Sequence, residues 1–317
     1  RAARKLDLPN KRVTDDDGTT HTFDKLLIAS GGAPRRPFSA PGVVYLRTLD
    51  DYQRLHELAE RGQRIAVIGG GFIGSEIAAA LAMNHKDVVM VFPEETVGAR
   101  AFPRSLGLFL NQFYRESGVE LHAKERITEI EQHGERFILH TAGSKKLEVD
   151  CVVAGLGIEP NVALARSADL EVENGVIVDG LLRTRHPDVY AAGDVAAFWS
   201  DALDKRVRVE HEDNAKCMGE QAGRNMAGEK SGYSHLPSFY SDLFDLGYEA
   251  VGELDSRYET VMDWSEPNRK GVVYYLEDNL VRGVLLWNVW DKVDAARQII
   301  TERGVVVSGD LIGRLVA

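Results

Sequence analysis

Arg64 to Glu94 reads RIAVIGGGFIGSEIAAALAMNHKDVVMVFPE, and its layout decides the fold class. The apolar run Ile65–Ile68 suits a strand buried on both faces. Gly69, Gly71 and Gly74 follow with the G-x-G-x-x-G spacing. The Ala- and Leu-rich segment Phe72–Met83 reads as a helix, and Val88–Phe92 as a second buried strand that leads to Glu94. Strand, glycine turn, helix, strand and terminal acid together form a complete β-α-β dinucleotide fingerprint. Gly69 permits the tight turn, Gly71 has no Cβ to keep the backbone from a pyrophosphate, and Gly74 lets the helix pack close to the sheet. The helix N-terminus supplies free N–H groups and partial positive charge for phosphates. Glu94, roughly twenty residues beyond the glycines, can accept hydrogen bonds from a ribose diol and repels a 2′-phosphate. NAD is therefore expected over NADP, with Arg100 a mild counterweight.

The chain has 317 residues, which suggests about two domains. A net charge of −11 argues against nucleic acid or an anionic membrane as partner. No apolar run approaches the roughly twenty residues of a membrane helix. The two cysteines, Cys151 and Cys217, lie far apart and form no C-x-x-C pair or zinc spacing. Both read as buried small hydrophobes, no metal site is expected, and a reducing compartment is the simplest. The expected location is cytoplasmic, with mitochondrial as the alternative.

Upstream of the fingerprint, Asp15–Gly18 marks a hairpin turn, and Leu26–Ile28 a buried strand that runs into Ala29-Ser30-Gly31. Pro34, Pro37 and Pro41 make a stiff crossover, and Leu49–Arg61 has helical spacing. Downstream, Ser105–Ser117 reads as a helix, 118–122 begins a strand, 127–143 reads as strands around Gly134, and Val149–Ala154 as a buried strand. Strands at Gly175–Val178 and Val189–Ala192, a helix over Asn214–Met226 and a linker over Gly228–Pro237 follow. The last part holds antiparallel strands at Val272–Leu276 and Leu280–Leu286, another before Leu254, and a helix over Asp294–Glu302. Ser256–Lys270 is a short connection.

Outside the fingerprint stand FDKLLIASG at 23–31, VYAAGD at 189–194 and VEH at 209–211. SFYSD at 238–242, GYEAVG at 247–252 and GVLLWN at 283–288 join them. This set resembles the two-dinucleotide flavoprotein reductases, and within them the apoptosis-inducing-factor and ferredoxin-reductase group. The resemblance implies an α/β fold in which a Rossmann-like NAD domain is inserted in an FAD domain, with a C-terminal α+β domain. The implied divisions are 1–38 and 158–237 for the FAD domain, 39–157 for the NAD domain and 238–317 for the C-terminal domain.

Site roles follow from the same resemblance. Ala29, Ser30 and Gly31 would lie close to the flavin nucleotide, Arg47 would reach the FAD, and Asp194 would bond the ribityl chain. His211 would lie against the isoalloxazine, with Glu210 beside it and Tyr240 where relatives carry a tryptophan. Phe72, Ile73 and Glu76 would meet the nicotinamide end of NAD, Gly157 and Glu249 would line its side, and Arg100 would approach the adenosine half. Glu76 and His211 are tuning residues for the hydride transfer rather than obligatory acids or bases. Each has a plainer reading: Glu76 as a helix-start acid, His211 as part of a solvated charge cluster, Asp194 as a helix N-cap, and Tyr240 and Trp287 as core aromatics.

The first fingerprint for the FAD adenine end is absent, so the resemblance implies a chain that starts late in that segment and holds NAD better than FAD. The long C-terminal insertion of animal members is absent too. The expected activity is FAD-dependent oxidation of NADH, with electrons passed to a ferredoxin-like protein, a quinone or oxygen. A homodimer is possible in this group. The alternatives are a redox-sensing, NADH-responsive binding protein and a thiol-dependent disulfide reductase or NADH oxidase.

Overall fold

The computed structural model describes residues 1–315. By packing, the chain divides into two compact units. One comprises 1–33, 159–239 and 297–303, and the other, among the described residues, 34–158, 240–296 and 304–315.

The larger unit is built on a four-stranded parallel sheet, in the order Cys151–Ala154, Arg64–Ile68, Asp87–Phe92, Glu120–Ala123. Ile65 pairs with Val88 on one side and Cys151 on the other. Ile65, Ala66, Val67 and Val88 to Val91 are fully buried, as expected of strands covered on both faces. Helix Phe72–Met83 follows the central strand. Helix Leu49–Arg61 starts at a capping box in which Thr48 and Asp51 satisfy each other's backbone N–H groups. Helix Arg104–Glu116 lies between the third and fourth strands in the chain.

The single strand expected over Val149–Ala154 is two strands. Lys146–Val149 pairs antiparallel with Arg136–Thr141, while Cys151–Ala154 joins the parallel sheet. Asp150 is the pivot, because its Oδ2 accepts from the backbone N–H groups of Gln63 and Arg64, both at 2.9 Å. Ile127–His133 completes a three-stranded antiparallel sheet with these residues.

A five-stranded antiparallel sheet runs in the order Ser238–Leu243, Leu246–Gly252, Leu280–Trp287, Lys270–Glu277, Glu259–Glu266. Its outermost strand, Glu259–Glu266, falls in the stretch read only as a short connection. Most of its residues are half-buried and the apolar alternation is correspondingly weak. The rings of Tyr248 and Trp287 stack at 5.4 Å, and Phe102 meets both edge-on.

The smaller unit holds the parallel pair Leu26–Ile28 and Val189–Ala191. Helix Glu212–Met226 packs near the end of this pair, with Met218 and Ala222 in a core that includes Ile28, Val189, Ala191 and Val195. Strands Ala196–Ser200 and Lys205–Val207, not anticipated from sequence, pair antiparallel. The linker expected over Gly228–Pro237 has no regular structure but is anchored. The Tyr233 hydroxyl donates to Asn214 Oδ1 at 2.9 Å, and its N–H to the Gly180 carbonyl at 2.8 Å. Among the described residues, no helix is long and apolar enough to cross a membrane.

Candidate functional site

The glycine turn of the larger unit sits at the C-terminal edge of its parallel sheet, where open α/β sheets place ligands. Gly69 has φ +115°, a value side-chain-bearing residues rarely adopt. A Cβ there would lie 2.3 Å from the Gly155 carbonyl oxygen. A Cβ on Gly74 would meet the Gly69 carbonyl oxygen at 2.1 Å, so the helix start is locked against the turn. Gly71 is different, because a Cβ there would meet nothing within 4 Å. Gly71 is also the N-cap of the helix and contributes no side-chain hydrogen bond. The turn thus presents uncapped N–H groups beside open space, which fits a pyrophosphate.

Other expected residues emerge at the same sheet edge. Gly157, at φ +82° with open space at its Cβ position, follows the neighbouring strand Cys151–Ala154. Glu94 follows the strand Asp87–Phe92, and its Oε1 accepts from Arg100 Nη2 at 3.3 Å. Arg100 is 91% exposed. Glu95 is held by Arg104 at 2.7 Å and Lys124 at 2.9 Å, and these cations lower its carboxyl to about 2. Of the two adjacent acids, Glu95 is tied into the scaffold. Phe72 is half-buried and touches Phe102 edge-on, while Ile73 is exposed.

Glu76, one turn into the fingerprint helix, is more than an exposed helix-start acid. It is half-buried and accepts from the Ser241 hydroxyl at 2.5 Å. Burial raises its carboxyl above the usual range. The Ser241 hydrogen bond opposes the shift and nearby Asp242 adds to it. Sequence reasoning missed Ser241, which lies 165 positions from Glu76; its only local signal is the alternation of buried Ser241 between exposed Tyr240 and Asp242. Tyr240, 71% exposed, is thereby one residue from the Glu76 partner. Glu249 is half-buried on Leu246–Gly252, next to Tyr248 of the aromatic cluster. Arg47 is exposed, just before the capping box of Leu49–Arg61. Trp287 is a fully buried core aromatic.

The smaller unit carries a second set. Leu26–Ile28 and Val189–Ala191 run parallel with Ile28 opposite Ala191. Ala29-Ser30-Gly31 and Ala192-Gly193-Asp194 therefore leave the sheet at the same end. Ser30 Oγ donates to the Asn161 carbonyl at 2.8 Å, and Asn161 returns hydrogen bonds to the carbonyls of Ser30 and Gly31. Asn161 is a further residue the sequence reading did not single out. Gly193, at φ +75°, turns the chain so that Asp194 lies in a single 3-10 turn, half-exposed. The N-cap of that turn is Ala192, and Asp194 lies inside it. Arg208 donates to the Asp194 carbonyl at 3.0 Å and pairs with Glu210 at 2.6 Å.

His211 is the N-cap of helix Glu212–Met226, and it is no solvated charge cluster. Its ring lies 4.3 Å from that of Phe239. Burial pushes its imidazole down to about 4, against the pull of Asp213 and Asp194. The ring is neutral at physiological pH, and its Nδ1 is buried without a hydrogen-bond partner. A buried, unsatisfied ring nitrogen beside Asp194 and the paired strand ends fits a polar ligand group there.

Cys151 is buried in the parallel sheet, and burial raises its thiol to about 12. Cys217 is half-buried with a raised thiol, and neither is poised as a nucleophile.

A family profile described as pyridine nucleotide-disulphide oxidoreductase matches residues 1–219, and one for the C-terminal part of mitochondrion-associated apoptosis-inducing factor matches 222–270 and 262–302. The chain is 35% identical over 327 residues to apoptosis-inducing factor 1 of Dictyostelium discoideum, covering 95% of this chain and 61% of that protein. It is 33% identical to the ferredoxin–NAD(+) reductase component of the anthranilate 1,2-dioxygenase system of Burkholderia cepacia, covering 92% of this chain and 73% of that one. A solved covalent putidaredoxin reductase–putidaredoxin complex superposes with a TM-score of 0.90 at 28% identity, covering 98% of this chain and 77% of that chain. The chain spans about three fifths of the length of the Dictyostelium protein.

Proposed function

We propose a function from the premise that this chain belongs to the pyridine nucleotide-disulphide oxidoreductase family: it serves an FAD-dependent reductase that takes reducing equivalents from NADH. The observation that carries the reading is a repeated one. Two sets of parallel strands each end in glycine-bearing turns accompanied by an acid. In the larger unit these are Gly69, Gly71 and Gly157 with Glu94, and in the smaller unit Gly31 and Gly193 with Asp194.

The residues present fit both groups. Gly71 leaves open backbone for a pyrophosphate, the uncapped helix start faces its charge, and Glu94 would accept from the adenosine ribose of NADH. Asp194 would accept from the hydroxyls of a ribityl chain. Neutral His211, with Nδ1 unsatisfied, would meet a polar group of the flavin. Bound FAD would supply hydride acceptance from reduced nicotinamide and onward electron release. The chain itself binds and orients, and keeps Glu76 partly desolvated so that a negative charge beside the nicotinamide is disfavoured.

The proposed electron acceptor is a ferredoxin-like protein, the acceptor class in the name of the Burkholderia relative, with quinones or oxygen as lesser candidates. The profile match over the C-terminal strands favours a second reading, in which the reduced protein persists as an NADH-responsive signal. The test is an anaerobic titration with NADH of the protein carrying this chain at its natural length. A flavin spectrum that bleaches and recovers promptly on addition of a ferredoxin supports the reductase. A long-wavelength band that persists on re-aeration supports the second reading. Absence of any flavin, with FAD supplied during purification, would overturn both.

A further inference from the structure

We propose that one face of the hairpin Ile127–Thr141 holds a divalent transition-metal ion of the Zn2+ class on Glu129, Glu131 and His140, with His133 orienting Glu131. Glu129, Glu131 and His133 alternate along one strand and share a face. The register sets His140 opposite Glu129, so its side chain stands on that face too. One ligand atom each from Glu129, Glu131 and His140 fall within 4.8 Å of one another. Small side-chain rotations bring such atoms to metal bonds of about 2 Å.

The detailed contacts point the same way. His140 Nε2 is shut off from solvent and lies 2.8 Å from Glu131 Oε1. A deprotonated ring nitrogen beside a carboxylate oxygen offers two ligand atoms to one cation. The other oxygen of Glu131 accepts from His133 Nε2 at 3.0 Å, the outer contact that commonly orients a ligating carboxylate. An imidazole with two carboxylates suits Zn2+, Co2+ or Ni2+ better than Mg2+ or Ca2+, which prefer all-oxygen shells. Lys146, opposite His140 on the next strand, is exposed on a flexible stem that can swing clear.

A second cluster of metal-type donors, Asp213, Cys217 and His235, does not support the same inference. Asp213 Oδ2 already accepts from His235 Nε2 at 2.7 Å, Ser238 N at 2.9 Å and Arg297 Nη2 at 3.1 Å. The guanidinium occupies the place of a cation.

Titration of the protein with Co2+, followed by visible absorption and competition with Zn2+, tests the proposal. The expected result is saturable binding of one ion per chain at the hairpin, with a rise in melting temperature. His133→Ala should weaken it about tenfold, the usual effect of losing an orienting contact. His140→Ala and Glu131→Gln should each weaken it more. The metal-free melting temperatures of these variants identify any misfolding, and the near-isosteric Glu131→Gln then decides the case. Absence of saturable binding overturns the proposal. So does binding unaffected by Glu131→Gln and His140→Ala, or binding abolished only by Cys217→Ala.

Discussion

A Cβ placed on Gly74 would lie 2.1 Å from the carbonyl oxygen of Gly69, closer than real side chains approach a backbone atom. The fingerprint helix is therefore seated directly on the turn that precedes it. Gly71, between the two in sequence, faces open space. The three glycines of one motif thus answer to two different constraints, packing for Gly69 and Gly74 and access for Gly71.

Gly74→Ala should destabilise the fold by about 1–3 kcal/mol, the range for overpacking a tight contact. Gly71→Ala, at φ −81° with nothing to meet, should change stability by less than about 0.5 kcal/mol while weakening NADH binding. Urea unfolding and NADH fluorescence titration on both variants check this. Equal stability losses would refute the division of roles.

Glu94→Gln removes the charge that disfavours a 2′-phosphate and frees Arg100 from its partner at 3.3 Å. The ratio of NADPH to NADH affinity should rise by about tenfold, equivalent to ~1.4 kcal/mol. Glu95→Gln should leave that ratio nearly unchanged, because Glu95 is occupied by Arg104 and Lys124. Competitive binding of the two nucleotides reads the outcome.

His211 predicts a pH effect with a definite sign. Its folded-state imidazole is depressed to about 4 from an ordinary 6.5, so the folded state binds a proton less readily than the unfolded one. Its contribution is fully present above about 6.5 and is lost as pH falls towards 4, by up to about 3 kcal/mol. Denaturant midpoints for the parent and His211→Gln should differ in slope over this window. Parallel slopes would show that the imidazole titrates normally.

Glu76 has the opposite sign for an acid. Its raised carboxyl means that the folded state favours the proton, so ionisation costs stability above the folded-state value. Glu76→Gln keeps an acceptor for Ser241 and removes that charge. It should raise the melting temperature at neutral pH, with the gain vanishing below the ordinary glutamate range. A lower melting temperature at neutral pH would mean that the carboxylate is needed as an anion.

The β-α-β unit was legible in the residues because each part depends on neighbours in the chain. The helix Phe72–Met83 and the capped helix Leu49–Arg61 occupy the spans their spacing implies. Glycine turns and buried apolar runs are set by local backbone freedom and by period, and both can be read from a single stretch. The edge strand Glu259–Glu266 and the break at Asp150 were not legible. A weakly alternating edge and a carboxylate bound to a distant backbone carry no local pattern.

What the sequence by itself determined is the glycine turn between strand and helix, the place of Glu94 after the next strand, and the strands that end at Ala29-Ser30-Gly31 and Gly193-Asp194. Only the tertiary structure decided which side chains lose water and which meet. It sets Ser241 on Glu76 and leaves His211 Nδ1 buried without a partner, and through strand register it gathers Glu129, Glu131 and His140. Desolvation and cross-strand proximity are sums over atoms from many parts of the chain, so no single stretch of residues encodes them.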